Sequence, residues 1–136
     1  MPEIATDAPT THARTIERFF GAIQAGDSAT LLEVLAPDAV TRWPQSGEQI
    51  TGAMACVRIY AEYPGGPPVS RLVRVVGAGD VWTAELVAEY GADRWWIVSI
   101  CEFDGARIAR MTDYFGPTFP VPEWREGLVE LDDSAV

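Results

Sequence analysis

The second half of the chain leaves little choice of architecture. From Val69 onward it falls into four segments of strand length, near 69–77, 81–90, 94–103 and 107–115. The separators are short: Gly77 to Asp80, Gly91 to Asp93, and Asp104-Gly105. Connections of that length join neighbouring strands as hairpins, so an antiparallel meander is predicted. Asp-Gly in particular suits a two-residue turn.

Helical spacing dominates before the meander. Ile16, Phe19, Phe20 and Ile23 make one apolar stripe on a helix that runs to about Ala25. Gly26 ends it, and Asp27 can cap a short second helix with Leu31, Leu32 and Leu35 inward until Pro37. Asp38 to Trp43 reads as a first strand. The loop PQSGE, Pro44 to Glu48, reads as a cap for a third helix, from Gly52 to about Tyr63, with Met54, Val57 and Ala61 on its buried side. Pro64-Gly65-Gly66-Pro67-Pro68 then breaks the helix before the sheet. Helices first and a twisted sheet second predict an α+β domain. A twisted antiparallel sheet would curl around the first helix and leave a pocket between them.

The last strand carries the most suggestive residue. Alternate strand side chains share a face, so Ala109, Met111, Asp113 and Phe115 lie together, with Ile108, Arg110, Thr112 and Tyr114 opposite. A carboxylate between Met and Phe is costly to bury and is a candidate working group. Tyr114 and one of Trp95 and Trp96 would leave the outer face apolar as well, which points to a homodimer through that face.

Composition excludes several classes. The chain of 136 residues suffices for one core. Its formal net charge of -10 argues against nucleic acid and anionic membranes as partners. No apolar run approaches a membrane span, and no signal peptide is evident at the N-terminus. Two cysteines, Cys56 and Cys101, read as free thiols of a cytoplasmic protein. One histidine, His12, expected exposed and idle, leaves no good metal site and no Ser-His-Asp triad. No cofactor is implied. Residues 1–10 read as a disordered N-terminus, 11–125 as the domain, and 126–136 as an acidic, solvated tail. The segment PxWREGLVEL would either close the cone mouth or pack across a dimer.

The order of helix, short helix, strand, PQSGE loop, helix and a meander ending in Gly105-x-Arg107-Ile108-x4-Asp113-Tyr114-Phe115 resembles the SnoaL-like family of the nuclear transport factor 2-like superfamily. The likeness runs from about Thr11 to Trp124 and is greatest to a branch with PQSGE early and PFxxPxWR late; here the late motif spans Thr118 to Arg125, with Thr118 in place of the first Pro. It implies a cone-shaped α+β fold that hosts isomerases, cyclases, hydrolases and non-catalytic binding modules. A ketosteroid isomerase of this fold has a Tyr and two Asp at the places of Phe19, Trp43 and Ser99, so that mechanism is not expected. A limonene-epoxide-hydrolase-like site has Arg-x-Asp where this chain has Glu85-Leu86-Val87, although Asp113 matches its remaining Asp. Asp113 also matches the catalytic Asp of SnoaL-type polyketide cyclases, while their associated histidine has no counterpart here.

The resemblance turns Glu85 inward and gives Asp113 a second carboxyl as partner; the alternative is a surface pair of Glu85 with Arg94 or Arg107. Two neighbouring carboxyls titrate as a unit, one neutral and one ionised, and can donate and accept protons at different substrate atoms. Phe19, Trp43, Tyr60, Ser99, Met111 and Phe115 are the expected substrate contacts, for a small apolar or polycyclic metabolite. Glu48 is a weaker third acid. The resulting expectation is a cofactor-independent acid–base enzyme of the isomerase, cyclase or epoxide-opening type. A non-catalytic ligand-binding or dimerisation module is the alternative.

Overall fold

The structure is a computed structural model that describes residues 3–4 and 10–132. Strand β1 is Glu3–Ile4, followed by helices α1 (Thr10–Ala25) and α2 (Ser28–Val34). Strands β2 (Leu35–Trp43) and β3 (Glu48–Thr51) precede helix α3 (Ala53–Ala61). The meander is β4 (Val69–Ala78), β5 (Val81–Tyr90), β6 (Asp93–Asp104) and β7 (Arg107–Pro117), and a short 3-10 turn covers Glu123–Arg125. All seven strands form one sheet in the order β1-β4-β5-β6-β7-β2-β3. The architecture is the expected α+β cone in a single domain.

The meander is antiparallel, as its short connections require. Gly91 and Gly105 sit at φ 61°, the left-handed conformation that tight hairpin turns need. The sheet as a whole is mixed, because β2 lies parallel to β7 and β1 parallel to β4. This parallel junction matters for the site: it carries β2 alongside β7, with Thr41 opposite Met111 and Arg42 opposite Thr112. Of the segment expected to be untethered, residues 1–2 and 5–9 lie outside the described residues, as do 133–136 of the tail; Glu3–Ile4 pairs with β4.

Several local expectations change. Asp27 does cap α2, accepting from the Thr30 backbone N–H at 3.1 Å, but α2 ends at Val34 and Leu35 opens β2. Val34, not Leu32, faces the core. On α3 the buried residues are Ala53, Cys56 and Val57, whereas Met54 is exposed. The loop PQSGE does not cap that helix. It is a hairpin turn, closed by Ser46 and Gly47 N–H donating to the Trp43 carbonyl, and Glu48 begins β3. On β7 a bulge at Ala109 lies opposite the Glu102/Phe103 step, so Ile108 is fully buried rather than outward. Beyond the bulge Met111 and Asp113 are buried and Tyr114 is exposed, as expected, while Thr112 on the opposite face is buried as well.

The core lies between α1, α2, α3 and the concave face of the sheet, around Ile16, Phe19, Leu35, Val75, Trp82, Leu86 and Ile108. His12 is not idle. Its ring stacks on Phe103 at a centroid distance of 3.9 Å, and its Nε2 lies 3.1 Å from Asp80 Oδ1, which ties α1 to the β4–β5 turn. No helix among the described residues is long and apolar enough to cross a membrane.

Candidate active site

Register alone assembles the site. Ala84 on β5 pairs with Ser99 on β6, and Ser99 pairs with Asp113 on β7. Continuing the β2–β7 pairing by one residue brings Trp43 beside Asp113. Directly opposed residues share a face, so Ala84, Ser99, Asp113 and Trp43 form one row across the concave surface.

Asp113 is 5% exposed and held from both sides. Ser99 Oγ donates to its Oδ1 at 2.6 Å, and Trp43 Nε1 donates to its Oδ2 at 2.9 Å. Burial drives the carboxyl pKa above its ordinary value; the Ser99 and Trp43 hydrogen bonds stabilise the ionised form and pull it partly back. Among the described residues no cation forms a salt bridge with it. The indole N–H can only donate, so Oδ2 must accept, whereas a serine hydroxyl can do either. A proton on Asp113 therefore belongs on Oδ1, on the side of Ser99.

Ser99, Asp113 and Trp43 of this row line one wall of a cavity of about 520 Å³, within the range of small-molecule sites. Its walls also include Phe20, Tyr60, Leu86, Trp95, Ile97 and Phe115, and its rim includes Gln24, Gln45, Ser46 and Glu48. Two glutamines fix the walls. Gln45 Nε2 donates to the Phe115 carbonyl at 2.6 Å while its Oε1 accepts from the Phe115 N–H at 2.5 Å, so the PQSGE turn is fastened to the end of β7. Gln24 does the same between α1 and the start of β4, donating to the Pro68 carbonyl and accepting from Ser70 N–H. None of residues 118–132 lines the cavity, so the described part of the C-terminal segment does not cover its mouth.

The SnoaL-like domain family matches residues 16–111. The chain belongs to the SnoaL-like domain family. A comparison with curated proteins gave no match. Among solved structures, an NTF-2 like protein of unknown function from Burkholderia xenovorans LB400 is 30% identical, with a TM-score of 0.81 over 90% of this chain and 95% of that one. A Kribbella flavida protein, provisionally assigned as a ketosteroid isomerase, is 26% identical, with a TM-score of 0.80 over 93% of each chain. An LEH-like epoxide hydrolase from M. tuberculosis is 25% identical, with a TM-score of 0.67 over 79% of this chain and 84% of that one.

In this SnoaL-like domain the expected site residues separate into two groups. Asp113, Ser99, Trp43, Tyr60 and Phe115 line the cavity together. Phe19 and Met111 do not; both are core residues, 1% and 2% exposed. Consecutive helix residues point about 100° apart, so α1 sends Phe19 into the core and Phe20 to the cavity. Tyr63, Tyr90 and Trp95 are cavity residues that sequence reasoning left among the core or unplaced. Trp95 pairs with Ala88 on the concave side; Trp96 pairs with Val87 on the outer face. The two thiols are buried, and burial pushes Cys56 up to about 11 and raises Cys101 as well, which disfavours both as nucleophiles at neutral pH.

Glu85 is the main correction. It pairs with Val98, which pairs with Tyr114, and this row lies on the outer face. Its Oε2 accepts from Arg74 Nε at 2.5 Å, with both side chains well exposed. The concave set of β5 is Trp82, Ala84, Leu86, Ala88 and Tyr90, which is uniformly apolar. Alignment on the family's Arg-x-Asp place put the strand one residue out of phase, and a one-residue slip sends every side chain to the other face. Exposed pairs contribute about 0–1 kcal/mol. Glu85→Gln is therefore expected to leave turnover within about twofold and to cost under about 1 kcal/mol in urea unfolding.

Proposed function

We propose that this SnoaL-like domain is a cofactor-independent acid–base enzyme acting on a small apolar molecule, with Asp113 as the proton-transferring group. The observation that carries the reading is the uncompensated carboxyl: Asp113 is buried in the wall of an apolar cavity without a cationic partner. Such a group is costly to fold and is positioned to exchange a proton with a bound molecule. Ser99 and Trp43 fix its orientation, and Oδ1 faces the cavity-lining hydroxyl. Suitable chemistry is proton transfer next to a carbonyl, ring closure, dehydration or epoxide opening, in which one atom gains a proton and another loses one. The isomerase and epoxide hydrolase assignments of the similar structures support that range.

The test is the pH dependence of turnover in Trp43→Phe. Phenylalanine keeps an aromatic ring at this place but removes the donor that favours ionised Asp113. The limb of the rate profile controlled by Asp113 is expected to move to higher pH. An unmoved limb would place the titrating group elsewhere.

A second reading has its own support. Both Asp113 oxygens are already occupied by protein donors, an arrangement that also suits a carboxyl holding a ligand without chemistry. In that case Trp43→Phe changes affinity and no pH-dependent rate exists. We further propose that the protein is cytoplasmic and works as a homodimer. The outer face of the sheet supports the latter: Val98 and Tyr114 are 37% and 45% exposed there, beside Trp96.

A further inference from the structure

The cavity wall has a sign. Among the described residues its lining contains two carboxyls, Asp113 and Glu48, and no arginine, lysine or histidine. The chain holds ten arginines and no lysine, and its net charge of -10 adds to the negative potential around any opening. An anionic group entering this cavity would lose its water without gaining a cationic partner.

Glu48 differs from the ion-paired acids of the fold. Glu17, Glu33, Glu62, Asp80, Glu85, Glu89 and Glu102 each have an arginine or His12 within salt-bridge distance. Among the described residues Glu48 has none, although it lines the cavity. It lies directly opposite Trp43 on the neighbouring strand, so carboxylate and indole share a face. Further round the same cavity are Tyr60, Tyr63, Tyr90 and Trp95, with Tyr90 and Trp95 edge to face at 5.6 Å. Aromatic faces together with an unpaired carboxylate are the chemistry that holds an ammonium group.

We propose that the ligand of this cavity is an apolar molecule bearing a protonated or quaternary amine, held at the rim by Glu48 against the Trp43 and tyrosine rings. This rests on the cavity being a small-molecule site. The apolar body lies deeper, along Leu86, Ile97 and Phe115, toward Asp113. Asp113 lies deeper with both oxygens already engaged by the Ser99 and Trp43 donors, which leaves Glu48 as the carboxylate open to the charge.

The test uses three probes of one shape and different charge: naphthylmethyl-trimethylammonium, naphthylmethanol and naphthylacetate. Binding is read from the fluorescence of the cavity tryptophans in the full-length protein. The ammonium is expected to bind roughly tenfold more tightly than the alcohol, and the acetate more weakly than both. Glu48→Gln is expected to lower the ammonium-to-alcohol ratio by several-fold, and Glu48→Arg to invert the order of ammonium and acetate. Glu48 is exposed, so neither change threatens folding. Equal binding of all three probes, or a ratio indifferent to both variants, overturns the proposal. Failure of every probe to bind overturns instead the reading of the cavity as a small-molecule site.

Discussion

Asp113→Asn is expected to abolish acid–base turnover and to leave a protein that is more stable than the parent at neutral pH. The first half follows from the proposed role. A positioned acid or base contributes about 100- to 10,000-fold to a rate, and an amide can neither give nor take the proton. The second half follows from burial. Asparagine can accept from Trp43 through its carbonyl and donate to Ser99 through its NH₂, so both hydrogen bonds survive in the variant. What disappears is the cost of burying a charge.

The sign can be stated in advance. The folded pKa of Asp113 lies above its unfolded value, so between the two the folded state binds more protons. Stability of the parent therefore falls as pH rises through that window, and no ionic penalty exists below it. The gain in Asp113→Asn should be absent in acid and appear as pH rises above about 4, levelling once Asp113 is ionised in the fold. Thermal unfolding at several pH values measures it. A variant that is destabilised at neutral pH, or turnover that persists, would each contradict the role given to this carboxyl. Stability sacrificed at a working group is a common trade-off.

The largest structural effect is expected at Trp82, on the core side of the same strands. Its side chain is completely buried, and its Nε1 donates to the Gly79 carbonyl at 3.0 Å. Its cross-strand partner is Gly77, where an added Cβ would lie 2.6 Å from the indole ring and from the Val81 carbonyl oxygen. The indole thus fills the space that the glycine leaves, and backbone on the far side prevents adjustment. Trp82→Ala should cost about 3–5 kcal/mol through lost burial and the resulting cavity. Against a typical total of about 5–15 kcal/mol, that is enough to unfold much of the population at moderate temperature. Urea titration followed by circular dichroism would show it as a large fall in midpoint. Gly77→Ala should also destabilise, by overpacking the same contact.

What the sequence revealed depended on how local the determining physics was. The meander was legible because glycine turns and strand-length alternation are read from neighbouring residues. The burial of Asp113 was legible because a lone acid in an apolar face is a local anomaly. Glu85 misled because its face was taken from a family position, although the all-apolar set Trp82, Ala84, Leu86, Ala88 and Tyr90 on its own strand marks the concave side. Strand β3 was missed since Glu48–Thr51 offers one apolar residue, Ile50, and owes its strand state to pairing with β2. The bulge at Ala109 and the exposure of Met54 are set by tertiary packing. Phe20, Tyr63, Tyr90 and Trp95 could not be separated from core aromatics, because only the assembled cone distinguishes a wall from an interior.

The parallel contact of β2 with β7 has a consequence for biosynthesis. The Trp43–Asp113 and Gln45–Phe115 bonds each join residues 70 positions apart. While a ribosome is still making the meander, the indole and the PQSGE turn have no partner to close upon. The proposed site is therefore completed only when β7 emerges, and a nascent chain released early would carry helices and hairpins but not the held Asp113 carboxyl.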